Sequence, residues 1–168
     1  MPENTNYIVY LVELSQRGRK NAFLDLCEVN LKSVFTTAYR LTKDVDKSTY
    51  ISIQTFLTVW DNIKSFDLRL SFTNWVKGIS VKISLHELFK YEEKSGPIEI
   101  PSHVVFDNQK IEHLLLHLPR MERIIFVLHD FERYNYHEIR DFLEDLSYDE
   151  IKTILIDTRN FLMSKIGI

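Results

Sequence analysis

NYHEIRDFLEDLSYDEIKTILIDTRNFL, Asn135 to Leu162, is the stretch whose reading decides the fold. It divides into two amphipathic segments. The first, 135–146, opens on Asn135, a residue type that caps helix N-termini by accepting from otherwise unpaired backbone N–H groups. The second opens on Ser147, another capping type, and then repeats apolar residues at the three-four spacing of a helix. Only a few residues separate them. Two short helices joined so tightly predict a helix-turn-helix. The second helix holds Asp149, Glu150 and Asp157 against Lys152 and Arg159. An acid-rich helix meets DNA, itself a polyanion, at a disadvantage, and that tension sets the functional question.

The same spacing extends upstream. Ile111, Leu114, Leu115 and Leu118 predict a short helix stopped by Pro119, and 119–132 predicts another with Pro119 in its first turn, where a missing N–H costs nothing. Before these, Gly96, Pro97 and Pro101 break the periodicity of 91–108, which reads as a linker. The N-terminal part returns to helices. Tyr7, Tyr10, Leu11 and Leu14 mark one; Phe23 through Leu41 mark a second, closed by Thr42-Lys43-Asp44. Tyr50, Ile53, Phe56, Leu57, Trp60 and Ile63 form the apolar stripe of a third, over 46–63. KSFDLRLS (64–71) is a loop, and Ser71 caps a fourth helix that buries Phe72, Trp75, Val76, Ile79 and Ile83. The β-branched run at 79–84 is kept helical because the stripe continues on both sides. The expectation is an all-α protein: two small helical domains, 1–90 and 110–168, joined by a flexible linker at 91–109.

Composition agrees. In 168 residues there are four Gly and four Pro, few for a many-stranded sheet. Hydrophobic residues make up 45%, enough for a core. The net charge of −3 argues against indiscriminate nucleic-acid binding by the whole surface. The charge is uneven, however. Residues 1–90 hold 12 Lys and Arg against nine Asp and Glu, a net of +3; residues 110–168 hold eight against 11, a net of −3. The single cysteine, Cys27, forms no intramolecular disulfide and reads as a small core residue. No apolar run approaches the roughly 18 residues that span a bilayer, and the N-terminus lacks a signal-peptide pattern, so a soluble, cytoplasmic protein is expected.

Catalytic and metal chemistry find little footing. No Gly-rich phosphate loop, GxSxG or paired CxxC occurs. His113 and His117 have the spacing of a two-His metal site but no acidic third ligand at a diagnostic distance, and read as polar edges of a leucine core. The carboxylates Glu138, Asp141, Glu144, Asp145, Asp149 and Glu150 lack the glycine-centred loop of a calcium site and read as a solvated acidic face. No cofactor and no enzymatic activity are expected.

Taken together, the segments resemble a bacterial RNA polymerase sigma factor of the extracytoplasmic-function class. Ala22-Phe23, AYRLTKD (38–44), TFLTVW (55–60), Phe66 and SFTNWV (71–76) resemble the domain that binds polymerase and melts the promoter. Leu118-Pro119, Arg123, Phe126, Leu128, Tyr136, Glu138-Ile139, Leu143, Ser147, Ile151-Lys152, Arg159 and Leu162 resemble the second, helix-turn-helix domain. The resemblance implies a factor that binds the polymerase core, directs it to promoter DNA and itself catalyses nothing. An anti-sigma protein is a further partner it suggests.

Carried over position by position, it places Asp46, Tyr50, Gln54 and Asp61 against polymerase. It places Lys64, Phe66, Arg69, Asn74, Lys77 and Lys82 on the downstream element and melted strand, and Ser147, Tyr148, Lys152, Thr153 and Arg159 on the upstream element. The pattern also departs from the family. Thr49, Tyr50 and Ile53 stand where an acidic pair and a glutamine are usual, Arg140 where an alanine is usual, Glu144 near the turn glycine, and Ile154 and Asp157 at basic positions. Two readings therefore stand: a working sigma factor, or a degenerate sigma-like protein that acts through protein partners without reading promoters.

Overall fold

The computed structural model describes residues 2–90 and 110–166; the linker expected at 91–109 lies outside the described residues. Those residues are helical or in short connections, with no strand among them. They belong to two compact units, Met1–Lys90 and Tyr91–Ile168.

The first unit contains α1 (Pro2–Gln16), α2 (Lys20–Thr42), α3 (Val45–Asn62) and α4 (Phe72–Phe89). Each boundary has a local cause. Gly18, at φ +82°, ends α1 in a paired closure: Gly18 N–H donates to the Ser15 carbonyl at 2.9 Å and Arg19 N–H to the Leu14 carbonyl at 3.0 Å. Lys43, at φ +59°, turns the chain out of α2, and the Asp44 carboxylate accepts from Lys47 N–H at 2.9 Å to start α3. A 3-10 turn, Ile63–Ser65, ends α3. Ser71 caps α4 as expected, accepting from Asn74 N–H at 3.4 Å. The 79–84 run is helical.

α3 corrects the sequence reading. Half of the apolar stripe expected to face inward does not: Tyr50, Ile53 and Leu57 are exposed, while Phe56 and Trp60 are half-buried against the core and Ile63 is buried. Ser48, Ile51, Ser52, Thr55 and Val59 are the buried residues, and α3 packs through them on α2 and α4. Small polar residues can occupy that seam because their own helix satisfies them. Ser52 Oγ donates to the Ser48 carbonyl at 2.7 Å, Thr55 Oγ1 to the Ile51 carbonyl at 2.8 Å, and across the seam Ser84 Oγ to the Ser80 carbonyl at 2.8 Å. α1 is corrected likewise: it is longer than 7–14 and buries Leu11, Val12 and Ser15, while Tyr7 and Tyr10 are exposed. Leu31 of α2, expected in its stripe, is exposed too.

The second unit contains α5 (Lys110–His117), α6 (Arg120–Phe126), α7 (Tyr136–Phe142) and α8 (Tyr148–Ile166). Pro119 is the cap residue before α6. α6 runs on into a π-helical turn, Val127–Phe131, rather than continuing regularly to 132. α7 stops at Phe142, four residues short of the expected end. The turn to α8 holds no residue in the left-handed region, so Glu144 fits there without a glycine. Arg123 is fully buried and donates to the Leu118 carbonyl at 2.8 Å.

Candidate functional site

Three surfaces carry the residues that the sequence singled out. The first is the outward face of α3. At about 100° per residue, Asp46, Tyr50, Ile53, Gln54, Leu57 and Asp61 share one arc, opposite the buried Ser/Thr/Val seam. Asp46 and Asp61 are exposed and Gln54 is half-buried. Tyr50 is 48% exposed, Ile53 54% and Leu57 52%. Leu24 and Leu31 of α2 are exposed as well. Between the two helices runs an open groove of about 550 Å³, with Leu31, Phe35, Ile53 and Phe56 in its walls and Glu28 and Lys32 among its polar members. So many large apolar side chains left in water on one helix pair mark a contact surface.

The second surface is the loop before α4 and α4 itself. Lys64, Arg69, Asn74 and Lys82 are exposed, and Lys77 is half-buried. Asn74 and Lys77 sit one turn apart, whereas Lys82 follows eight residues after Asn74 and lies farther round the helix. Arg69 grips Asp67 with Nε at 3.0 and 2.9 Å from its two carboxylate oxygens, which holds the Asp67 carboxyl below its ordinary pKa. Phe66, which the resemblance places on the melted strand, is buried. It is 8% exposed, edge-on to Phe72 with ring centres 5.5 Å apart, and 4.7 Å from the Trp75 ring. It anchors the loop to the core. Trp60 likewise packs on Phe23, ring centres 4.8 Å apart. Burial pushes the Cys27 thiol up to about 11, the behaviour of an inert packing residue rather than a nucleophile.

The third surface is the helix-turn-helix. Both of its helices start with reciprocal caps. The Asn135 side chain accepts from Glu138 N–H at 3.1 Å while Glu138 accepts from Asn135 N–H at 2.8 Å. Ser147 Oγ accepts from Glu150 N–H at 3.3 Å while Glu150 accepts from Ser147 N–H at 2.8 Å and from its hydroxyl at 2.6 Å. The Ser147 bonds lower the Glu150 pKa. Two acids of the acid-rich stretch are thus structural, and each puts a carboxylate where an empty helix N-terminus would otherwise attract phosphate.

Tyr148, Lys152 and Thr153 are exposed along α8, together with Asp149, Ile156 and Asp157. Tyr148 packs edge-on against Tyr136, 5.1 Å between ring centres, and near His137 at 5.6 Å. Arg159, also expected on the upstream element, is half-buried. Its guanidinium is committed to Asp130 in the π-helical turn, Nε to Oδ2 at 3.0 Å and Nη2 to Oδ1 at 2.5 Å, and Nη2 also lies 3.1 Å from His129 Nδ1. Sequence reasoning missed Asp130 and His129, because a partner 29 residues away leaves no periodic signal. Among the described residues no cluster of His, Cys, Asp and Glu could hold a metal ion, and no helix is long and apolar enough to cross a membrane. His113 and His117 face each other, ring centres 4.4 Å apart.

This order of helices, with a capped helix-turn-helix after a four-helix unit, has counterparts among solved structures. CnrH, solved in complex with the cytosolic domain of CnrY, superposes with a TM-score of 0.62 over 96% of this chain and 97% of its own, at 16% identity. The sigma factor RpoE from Bartonella quintana, solved in complex with the anti-sigma factor NepR, gives 0.61 over 87% and 97%, at 17% identity. The chain shares the fold of these two proteins. In sequence, the chain is similar to the ECF RNA polymerase sigma factor SigW of Bacillus subtilis strain 168, 24% identical over 75 residues. That match spans 45% of this chain and 40% of SigW. No protein-family model matches the chain.

Proposed function

We propose that the protein is a diverged sigma factor that binds the polymerase core and directs promoter recognition. The observation that carries this is the outward face of α3. Asp46, Tyr50, Gln54 and Asp61 lie on it together, and with Ile53 and Leu57 they make a half-apolar surface of the kind that docks a protein. The N-terminal unit then supplies core binding, and Lys64, Arg69, Asn74, Lys77 and Lys82 supply the downstream element. Ser147, Tyr148, Lys152 and Thr153 supply the upstream one. With Arg159 occupied, Lys152 is the one basic residue of the expected upstream set left on the face of α8. Few phosphate contacts mean weak binding and a shallow salt dependence. Such a helix works as an accessory to a polymerase that supplies most of the affinity.

The carboxylate-capped helix starts and the exposed Ile156 and Asp157 favour a second reading, in which the C-terminal unit engages a protein. The complex of RpoE with the anti-sigma factor NepR supports a protein of that kind as the partner. Reconstitution decides between the two. The protein is added to core polymerase with genomic fragments as template. Promoter-selective transcripts that disappear with Lys152→Glu, core binding being kept, establish the first reading. Core binding with no initiated transcript leaves only the second.

A further inference from the structure

The α1–α2 turn carries Arg17, Arg19 and Lys20, all exposed. Cations at the end of a helix usually neutralise its free carbonyls. Here backbone groups already do so: Arg17 N–H donates to Glu13 and Leu14, Gly18 N–H to Ser15, and Arg19 N–H to Leu14. Arg19 and Lys20 moreover stand at the start of α2, the end of a helix that disfavours cations, so capping does not account for them. The closure through Gly18 also fixes the turn's shape. Gln16 then fixes its place. Its Nε2 donates to the Ile63 carbonyl at 3.0 Å and to the Phe66 carbonyl at 2.9 Å, on either side of the exposed Lys64. The turn is thereby held beside the start of the loop that leads to α4. Of the acids nearby in the chain, Asp67 is neutralised by Arg69, Glu13 is half-buried, and Asp61 is left exposed.

We propose that Arg17, Arg19 and Lys20, continuous with Lys64, form a phosphate-binding surface for the backbone of single-stranded DNA. This rests on the sigma-factor reading and lengthens the track of the melted strand beyond the loop before α4. Three cations on a rigid turn, with Lys64 beside them, suit a flexible polyanion, which they hold by counterion release without reading bases.

The test uses the full chain and a fluorescein-labelled oligothymidylate, with anisotropy followed over a salt titration that starts at low salt. The combined variant Arg17→Gln, Arg19→Gln, Lys20→Gln should reduce the slope of log affinity against log salt by about 2, at about 0.7 for each phosphate no longer neutralised. Its circular dichroism melt and its affinity for core polymerase should match the unaltered chain. An unchanged slope overturns the proposal, as does failure of the unaltered chain to bind at low salt. A drop that falls on core-polymerase affinity instead assigns the turn to a protein partner and also overturns it. If the unaltered chain binds the oligonucleotide but starts no transcript with core polymerase, the sigma-factor reading fails and the phosphate surface stands.

Discussion

Arg159 of α8 and Asp130 of the π-helical turn form a two-pronged ion pair, Nε to Oδ2 at 3.0 Å and Nη2 to Oδ1 at 2.5 Å. It ties the helix expected to read DNA to the segment behind it. Burial acts to raise the Asp130 pKa, but hydrogen bonds and charge from Arg159, then from His129, outweigh it and hold it below its ordinary value. A folded pKa below the unfolded one gives stability that is present above the ordinary carboxylate range and lost as pH falls through the folded value.

Asp130→Asn should therefore cost about 1–2 kcal/mol at neutral pH, between the values of exposed and buried pairs because both side chains are partly solvated. Urea melts between about pH 7 and about pH 3 check it: the gap between the two proteins should narrow on the acid side. A constant gap would mean that shape rather than charge ties α8 down.

The inverted face of α3 makes a paired prediction. Ile51→Ala opens a cavity in the seam with α2 and α4 and should cost about 2–4 kcal/mol. Ile53→Glu, on the outward side of the same helix and 54% exposed, should leave the melt within about 0.5 kcal/mol but abolish pull-down of core polymerase. If Ile53→Glu unfolds the protein, the assignment of faces is wrong.

Phe66 separates packing from base stacking. As a core ring beside Phe72 and Trp75, its truncation to alanine should lower stability by about 3–4 kcal/mol. Phe66→Leu should restore most of that, and promoter opening by the leucine variant should be near normal. Normal stability of Phe66→Ala with lost opening would instead make the ring a DNA contact.

Gly18 sits at φ +82° with no atom within 4 Å of where a Cβ would stand, so space is not the constraint there. Backbone conformation is, and Gly18→Ala should destabilise the N-terminal unit by about 1 kcal/mol, read as a lower urea midpoint with unchanged slope.

The sequence by itself determined the helices and most of their ends. Ser71, Asn135 and Ser147 cap where they were expected to, because capping is settled within four residues, and the three-four spacing places each helix without knowledge of its neighbours. Tertiary structure decided what those helices present. Nothing local says that Ser48, Ser52 and Thr55 turn inward while Tyr50, Ile53 and Leu57 stay in water. Their hydroxyls satisfy themselves on their own helix, so an apolar stripe and a small polar stripe can both be buried, and only α2 and α4 choose. Nor is Arg159's partner written in its own helix; it is set by the π-helical turn, which brings Asp130 across 29 residues. In the same way Gln16, with partners 47 and 50 residues on, holds the basic turn beside Lys64. Short-range hydrogen bonding is legible in the chain; the contacts that select a surface come from long-range packing, and here they decided which of the candidate residues remain available to a partner.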